Sequence, residues 1–129
     1  MTEPVKAPRV LVIDSNKADL EDLAAKLRRI GCEVETALDV VSALKKIQEG
    51  QLDAVFCEQV LRRECDGVLL HMHLVNQEDK LKDRFILMNE NMMQLSSRKY
   101  AEDNNIPFLL KPIQRDDVAL NLEILLERG

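Results

Sequence analysis

Arg9-Val10-Leu11-Val12-Ile13-Asp14-Ser15 is the stretch on which the fold turns. Four aliphatic residues in an unbroken row suit a strand buried on both faces, because a half-exposed strand alternates with polar residues. An acidic residue ends the row, and Ser15 is placed to cap a following helix. In that helix Leu20, Leu23, Leu27 and Ile30 recur at helical spacing, and Gly31 stops it. Glu33 to Ala37 then alternates as a half-buried strand. Asp39 caps a second helix with Val40, Ala43, Leu44 and Ile47 inward, ending at Gly50. Ala54-Val55-Phe56-Cys57 reads as the third strand, and the polar loop Glu58 to Asp66 leads to a helix from about Gly67 to Asn76. Phe85-Ile86-Leu87-Met88 and Phe108-Leu109-Leu110 complete the strands, with helices over Asn91 to Asp103 and Asp116 to Arg128. Asn104 is expected in the left-handed conformation that ends the fourth helix.

Strands alternating with helices argue an α/β chain with a parallel sheet covered on both faces, because each parallel crossover needs its helix. The working site of such a sheet lies at the carboxyl ends of its strands. Asp14, Ser15, Glu58, Asn89 and Lys111 stand there. The strand residues Val12, Ile13, Val55, Phe56, Ile86, Leu87 and Leu109 should be nearly inaccessible.

A length of 129 residues suits one domain, with residues 1–8 a flexible lead-in carrying two prolines and residues 9–129 the folded part. A net charge of −5 gives no electrostatic footprint for nucleic acid. Only 3% of residues are aromatic, so the core must be aliphatic. No apolar run is long enough to span a membrane and no signal peptide opens the chain, so a cytoplasmic location is expected. Cys32, Cys57 and Cys65 form no CxxC pair, which leaves zinc and dithiol chemistry unsupported. His71 and His73 would lie on different sides of a helix and cannot share one ion.

The chain resembles the receiver domains of bacterial two-component response regulators over Arg9 to Arg128. The matching pieces are Val10-Leu11-Val12-Ile13-Asp14, the strand ending at Glu58, Asp66-Gly67, Asn89, and Lys111-Pro112, with 22 positions from Asn89 to Lys111. The resemblance implies a flavodoxin-like (βα)5 fold, strand order 2-1-3-4-5, and a cis peptide before Pro112. It implies that the helices around Leu23 and Leu125 share one face of the sheet, and those around Leu44, Leu70 and Leu95 the other. It also implies phosphotransfer from a histidine kinase to an aspartate ending the third strand, assisted by Mg²⁺, a lysine and a hydroxyl.

Three of those parts are altered. Glu58 occupies the phosphoacceptor position, Ser15 replaces the second acidic residue after the first strand, and Asn89 replaces the switch Thr or Ser. Phe108 stands at the switch-aromatic position without a phenol hydroxyl. The loop before Gly67 is one residue longer than the family pattern, and Arg62-Arg63 stand where Pro-Gly is common. Glu58, one methylene longer than Asp, should reach Lys111 and pair with it, with Asp14 nearby. With Asp14 and Glu58 as the remaining acidic ligands, Mg²⁺ binding should be weak or absent, and no other cofactor is expected.

The leading reading is therefore a degenerate, phosphorylation-independent receiver that works as a protein-interaction module rather than an enzyme. One alternative is a receiver still phosphorylated on Glu58, Asp53 or Asp66; Asp53 starts its strand, at the wrong edge of the sheet. Another is a small-ligand or enzymatic domain on the same scaffold, although no Gly-rich phosphate loop or nucleophile–base pair is visible. Partners would be a histidine kinase, an output domain or a second receiver. The family docks through the face of the fourth helix, fifth strand and fifth helix. Leu120 and Ile124 lie off the buried Val118-Leu122-Leu125 stripe, and with Met92 and Met93 they mark that candidate surface.

Overall fold

The computed structural model describes residues 6–63, 65–91 and 95–128, with Leu95 and Ser96 by backbone alone. Elements follow in the order β1 (Arg9–Ile13), α1 (Lys17–Arg29), β2 (Glu33–Ala37), α2 (Val40–Glu49), β3 (Ala54–Glu58), α3 (Asp66–Asn76), a 3-10 turn (Lys80–Asp83), β4 (Phe85–Asn89), α4 (Leu95–Asp103), β5 (Phe108–Leu110) and α5 (Arg115–Leu126). All strand pairs are parallel, in the order β2-β1-β3-β4-β5. This is the flavodoxin-like arrangement and strand order that the resemblance implies, built on the parallel sheet that the alternation of strand and helix called for.

Side chains alternate across the sheet, so each strand feeds two cores. Val10, Val12, Ala54, Phe56, Ile86 and Met88 pack with Leu20, Leu23 and Leu27 of α1 and Val118, Leu122 and Leu125 of α5. Leu11, Ile13, Val55, Cys57 and Leu87 face the other way, against α2, α3 and α4. Leu44 and Leu70 lie on that second side as expected, while the side chain of Leu95 is outside the described residues. Continuous apolar strands are thus explained by burial on both faces: Val12, Ile13, Val55, Phe56, Ile86 and Leu87 are all fully inaccessible.

Leu109 departs from the expectation. It is half-buried, because β5 is only three residues long and forms the edge of the sheet. Two caps also differ. Asn16, not Ser15, caps α1, its side chain accepting from the Asp19 N–H at 3.1 Å. The left-handed residue after α4 is Asn105, at φ 56°, one position beyond Asn104. Asp39 does cap α2, accepting from the Ser42 N–H. The fourth helix is described from Leu95; Asn91 is a bend, and residues 92–94 lie outside the described part. The last helix stops at Leu126, two residues short of Arg128.

Candidate functional site

The alternation that builds the α1–α5 core also delivers the site. Phe56 points to that side, so Glu58, two residues on and ending β3, points there too. Val12 and Asp14 stand in the same relation, as do Leu109 and Lys111. Parallel pairing places the ends of β1 and β3 side by side, Ile13 opposite Cys57. The Lys111–Pro112 peptide is cis.

Lys111 Nζ lies 2.7 Å from Asp14 Oδ2, 3.0 Å from Glu58 Oε1 and 3.0 Å from Asp19 Oδ2. Its side chain is 8% exposed, those of Asp14 and Glu58 2% and 9%. Ser15 completes the arrangement: its hydroxyl and its N–H both donate to Glu58 Oε2, at 2.9 and 3.2 Å. That is why the serine does not cap α1. Asp14 Oδ1 accepts from the Asn16 N–H at 2.9 Å. Every oxygen of the two buried carboxylates thus has a donor, as buried charge requires.

This donor set does not fit Mg²⁺. The ion needs six oxygens in near-octahedral array, usually including its own waters. Here an ammonium stands between the two buried carboxylates, and the hydroxyl and backbone N–H that fill the remaining side of Glu58 bind it as donors. A cation entering this space would have to displace Lys111 or face it at close range.

The electrostatics are unequal within the cluster. Burial pushes the Asp14 carboxyl from 3.8 up to about 6, against the bonds from Lys111 and Asn16, and the charge of Glu58 adds to the rise. Glu58 is also opposed by burial, yet its bonds within the cluster, including those from Lys111 and Ser15, hold it below the ordinary carboxylate value. Burial disfavours the Lys111 charge as well, but the carboxylates around it raise its pKa above that of a free lysine.

A carboxyl with a raised native pKa binds extra protons in the folded state, so its contribution falls as pH rises from 3.8 to about 6 and stays unfavourable above that. Asp14→Asn is accordingly expected to stabilise the protein by about 1–2 kcal/mol near pH 8, a part of the shift being offset by the lost Lys111 contact. The gain should vanish below about pH 4, where Asp14 is protonated in both states. Urea unfolding at the two pH values measures it; an equal effect at both would show that Asp14 carries no such strain.

Asn89 is not brought into the ion cluster. Alternation sends it to the face opposite Met88, where its side-chain carbonyl accepts from the Glu90 N–H at 2.9 Å. It shares with Ser15 and Glu58 the walls of a shallow open cleft. Phe108 is half-buried against the α2–α4 core. Asp53 and Asp66 are remote from Lys111 in their bonding: Asp53 Oδ2 accepts from the Arg9 N–H, and Asp66 Oδ2 from the N–H groups of Arg62 and Arg63.

Two participants were not anticipated. Asp19 reads in sequence as an ordinary acidic residue in a helix first turn, favoured there by the helix dipole. Its position beside the strand end was the available signal. Gln59, buried at 2%, accepts from the Val68 N–H through Oε1 and donates through Nε2 to Ser97 Oγ, joining α3 to α4. His71 is buried, with Nδ1 2.8 Å from the Tyr100 hydroxyl and Nε2 2.7 Å from the Lys82 carbonyl.

No family model matches the chain. In sequence it is 27% identical over 116 residues to hybrid signal transduction histidine kinase L of Dictyostelium discoideum, a match covering 85% of this chain and 7% of that protein. The chain therefore spans a small fraction of that relative's length. The signal receiver domain of an HD domain-containing protein from Pseudomonas fluorescens Pf-5 superposes with a TM-score of 0.83 at 23% identity, over 98% of this chain and 92% of that one. A CheY-like response regulator receiver domain protein from Methanospirillum hungatei JF-1 gives 0.80 at 20% identity, over 95% of both chains. Chemotaxis protein CheY4 of Vibrio cholerae gives 0.78 at 17% identity, over 94% and 100%. The fold of this chain is the response regulator receiver fold.

Proposed function

We propose that the chain is a receiver domain of a two-component or phosphorelay system that acts without phosphorylation, as a protein-interaction module. The observation that carries this reading is the position of Lys111 between Asp14 and Glu58. In a phosphorylatable site that lysine would meet an incoming phosphoryl group; here a carboxylate of the chain itself already takes the contact. Asn89, turned away, supplies no hydroxyl to follow a phosphate. On this account Glu58 is neither nucleophile nor metal ligand but an internal anion that keeps the site in one charge state. Similarity to a hybrid histidine kinase supports the signalling context, with a kinase, an output domain or another receiver as partner.

The proposed contact surface is the α4–β5–α5 face. Leu110 of β5 and Leu120 and Ile124 of α5 are 48%, 57% and 41% exposed, more than their aliphatic character favours. Met92 and Met93 lie outside the described residues and contribute no observation. A receiver dimer is the simplest use of such a face, and the NtrC4 receiver domain, a structural relative at 23% identity, has been seen as a beryllofluoride-activated dimer. Sedimentation velocity tests the idea. Self-association is expected without a phosphodonor, unchanged by an acyl phosphate with Mg²⁺, and lost in a folded Leu120→Glu, Ile124→Lys variant. Association that appears only with the phosphodonor favours the switchable alternative; a monomer at all concentrations contradicts dimerisation through this face.

A further inference from the structure

α4 is anchored differently from α1 and α5. α1 buries four apolar side chains and α5 three. Among the described side chains of α4, Ala101 alone is fully buried, with Tyr100 half-buried on the same core. Alanine removes little apolar area from water, so the described apolar burial holds α4 less firmly than it holds the other two. Two directional bonds add to it. Ser97 Oγ accepts from Gln59 Nε2 at 3.1 Å, and the Tyr100 hydroxyl lies 2.8 Å from His71 Nδ1. Ser97 and Tyr100 are three residues apart and Ser97 and Ala101 four, so both bonds leave the side of the helix that faces the core.

The two groups that α4 meets are buried and fixed in orientation. Gln59 Oε1 accepts from the Val68 N–H at 3.1 Å, which leaves Nε2 to face Ser97. The Gln59 backbone is held as well, its N–H donating to Met88 O and its carbonyl accepting from the Gly67 N–H. The amide fits there because residue 67 has no side chain: a Cβ would lie 2.7 Å from Oε1. His71 Nε2 lies 2.7 Å from the Lys82 carbonyl, which can only accept, so the ring proton is on Nε2. Burial keeps the pKa of the ring below its ordinary value, so at neutral pH Nδ1 is an acceptor and the Tyr100 hydroxyl donates to it. A buried amide or imidazole left without its partner costs more than the bond itself returns, which makes both contacts strict about where α4 sits.

We propose that Gln59 and His71 are positioning residues that pin α4 in one seat and so preform the α4 side of the contact face without phosphate. The inference rests on the reading of the α4–β5–α5 face as the contact surface and says what holds that face ready. Ser97→Ala with Tyr100→Phe tests it, because each change removes one hydroxyl from a half-buried position and leaves Gln59, His71 and the core intact. Each loss should favour a displaced α4 about tenfold, and both together about a hundredfold. Relaxation dispersion on the isotope-labelled full chain should be flat for amides 99–103 of the native chain and of Ser97→Thr, which keeps its hydroxyl. In the double variant those amides should report a second position of α4, with β1 and β3 still flat. Self-association by sedimentation velocity should weaken in step: where half of the chains have α4 displaced, the dimer Kd should rise about fourfold, since both copies need the native seat. Flat dispersion in α4 of the double variant would overturn the proposal, and so would dispersion spread equally over β1 and β3. A displaced α4 with unchanged association would overturn it too, because the pins would not govern the face. A native chain that is monomeric at all concentrations contradicts the contact-face reading instead, while displacement confined to α4 in the double variant would still support the pinning.

Discussion

Replacement of Lys111 by methionine is expected to cost about 3–5 kcal/mol of stability at neutral pH, the range found when one partner of a buried ion pair is removed. Methionine keeps most of the lysine's volume, so the loss reports charge rather than a cavity. Asp14 and Glu58 would remain buried side by side, with Asp19 at their edge and no cation among them. In a domain of this size such a loss lowers Tm by about 10 °C or more. The sign of the pH dependence is fixed by the same geometry. Protonation removes the repulsion, and without the Lys111 bond that lowers it the Asp14 carboxyl sits higher still than its native value of about 6, so the deficit should shrink as pH falls from 8 to 5. Paired urea denaturations of the native chain and Lys111→Met at pH 5 and pH 8 measure it. A deficit independent of pH would mean that Lys111 acts by packing alone. No deficit would mean that the ion cluster contributes nothing.

Gly67→Val is expected to destabilise by about 3 kcal/mol, at the upper end of overpacking effects. A Cβ at residue 67 would meet Gln59 Oε1 and Leu87 Cδ2 at 2.7 Å and Gln59 Cα at 2.9 Å. The leucine methyl and the glutamine amide can rotate aside, but the Gln59 backbone cannot, because its N–H donates to Met88 O and its carbonyl accepts from the Gly67 N–H. The strain would enter at the residue next to Glu58 and at the Gln59 link to Ser97 of α4. Thermal unfolding of Gly67→Ala and Gly67→Val should show a graded loss. An unchanged Tm for the valine variant would show that α3 can move away from the sheet freely.

The strands were legible because burial on both faces leaves a signature that no loop shares: Val10 to Ile13 and Ala54 to Cys57 are apolar without interruption. β5 was legible in position but not in burial. Nothing in Phe108-Leu109-Leu110 says that the sheet ends there, and an edge strand wears its second face half-open. The turn Lys80–Asp83 escaped notice because a single 3-10 turn has no periodicity to read. Glu58, Asp14 and Lys111 could be grouped from their places at strand ends and from the resemblance; the pleat explains why they share one side of the sheet, and the strand order why they meet. Asn89 shows the limit of reading by position. It stands at a strand end like the others, but one residue out of phase, and so faces away. Ser15 shows a different limit. A serine before a helix fits a cap equally well in sequence, and only the reach of Glu58 decides that its hydroxyl is used elsewhere. Asp19 required the tertiary approach of α1 to the end of β5, which no local pattern encodes.

The central claim is that Glu58, held by Lys111 and Ser15, leaves this receiver fold without a phosphorylation site. Intact mass after incubation with an acyl phosphate and Mg²⁺ tests it most directly, with Ser15→Asp, Glu58→Asp run beside the native chain as a variant given back two aspartates. The native chain is expected to keep its unmodified mass, and the double variant to gain Mg²⁺ affinity, because Ser15→Asp adds a carboxylate and Glu58→Asp draws one back by a methylene. A stoichiometric, hydroxylamine-labile adduct of one phosphoryl group on the native chain would contradict the account.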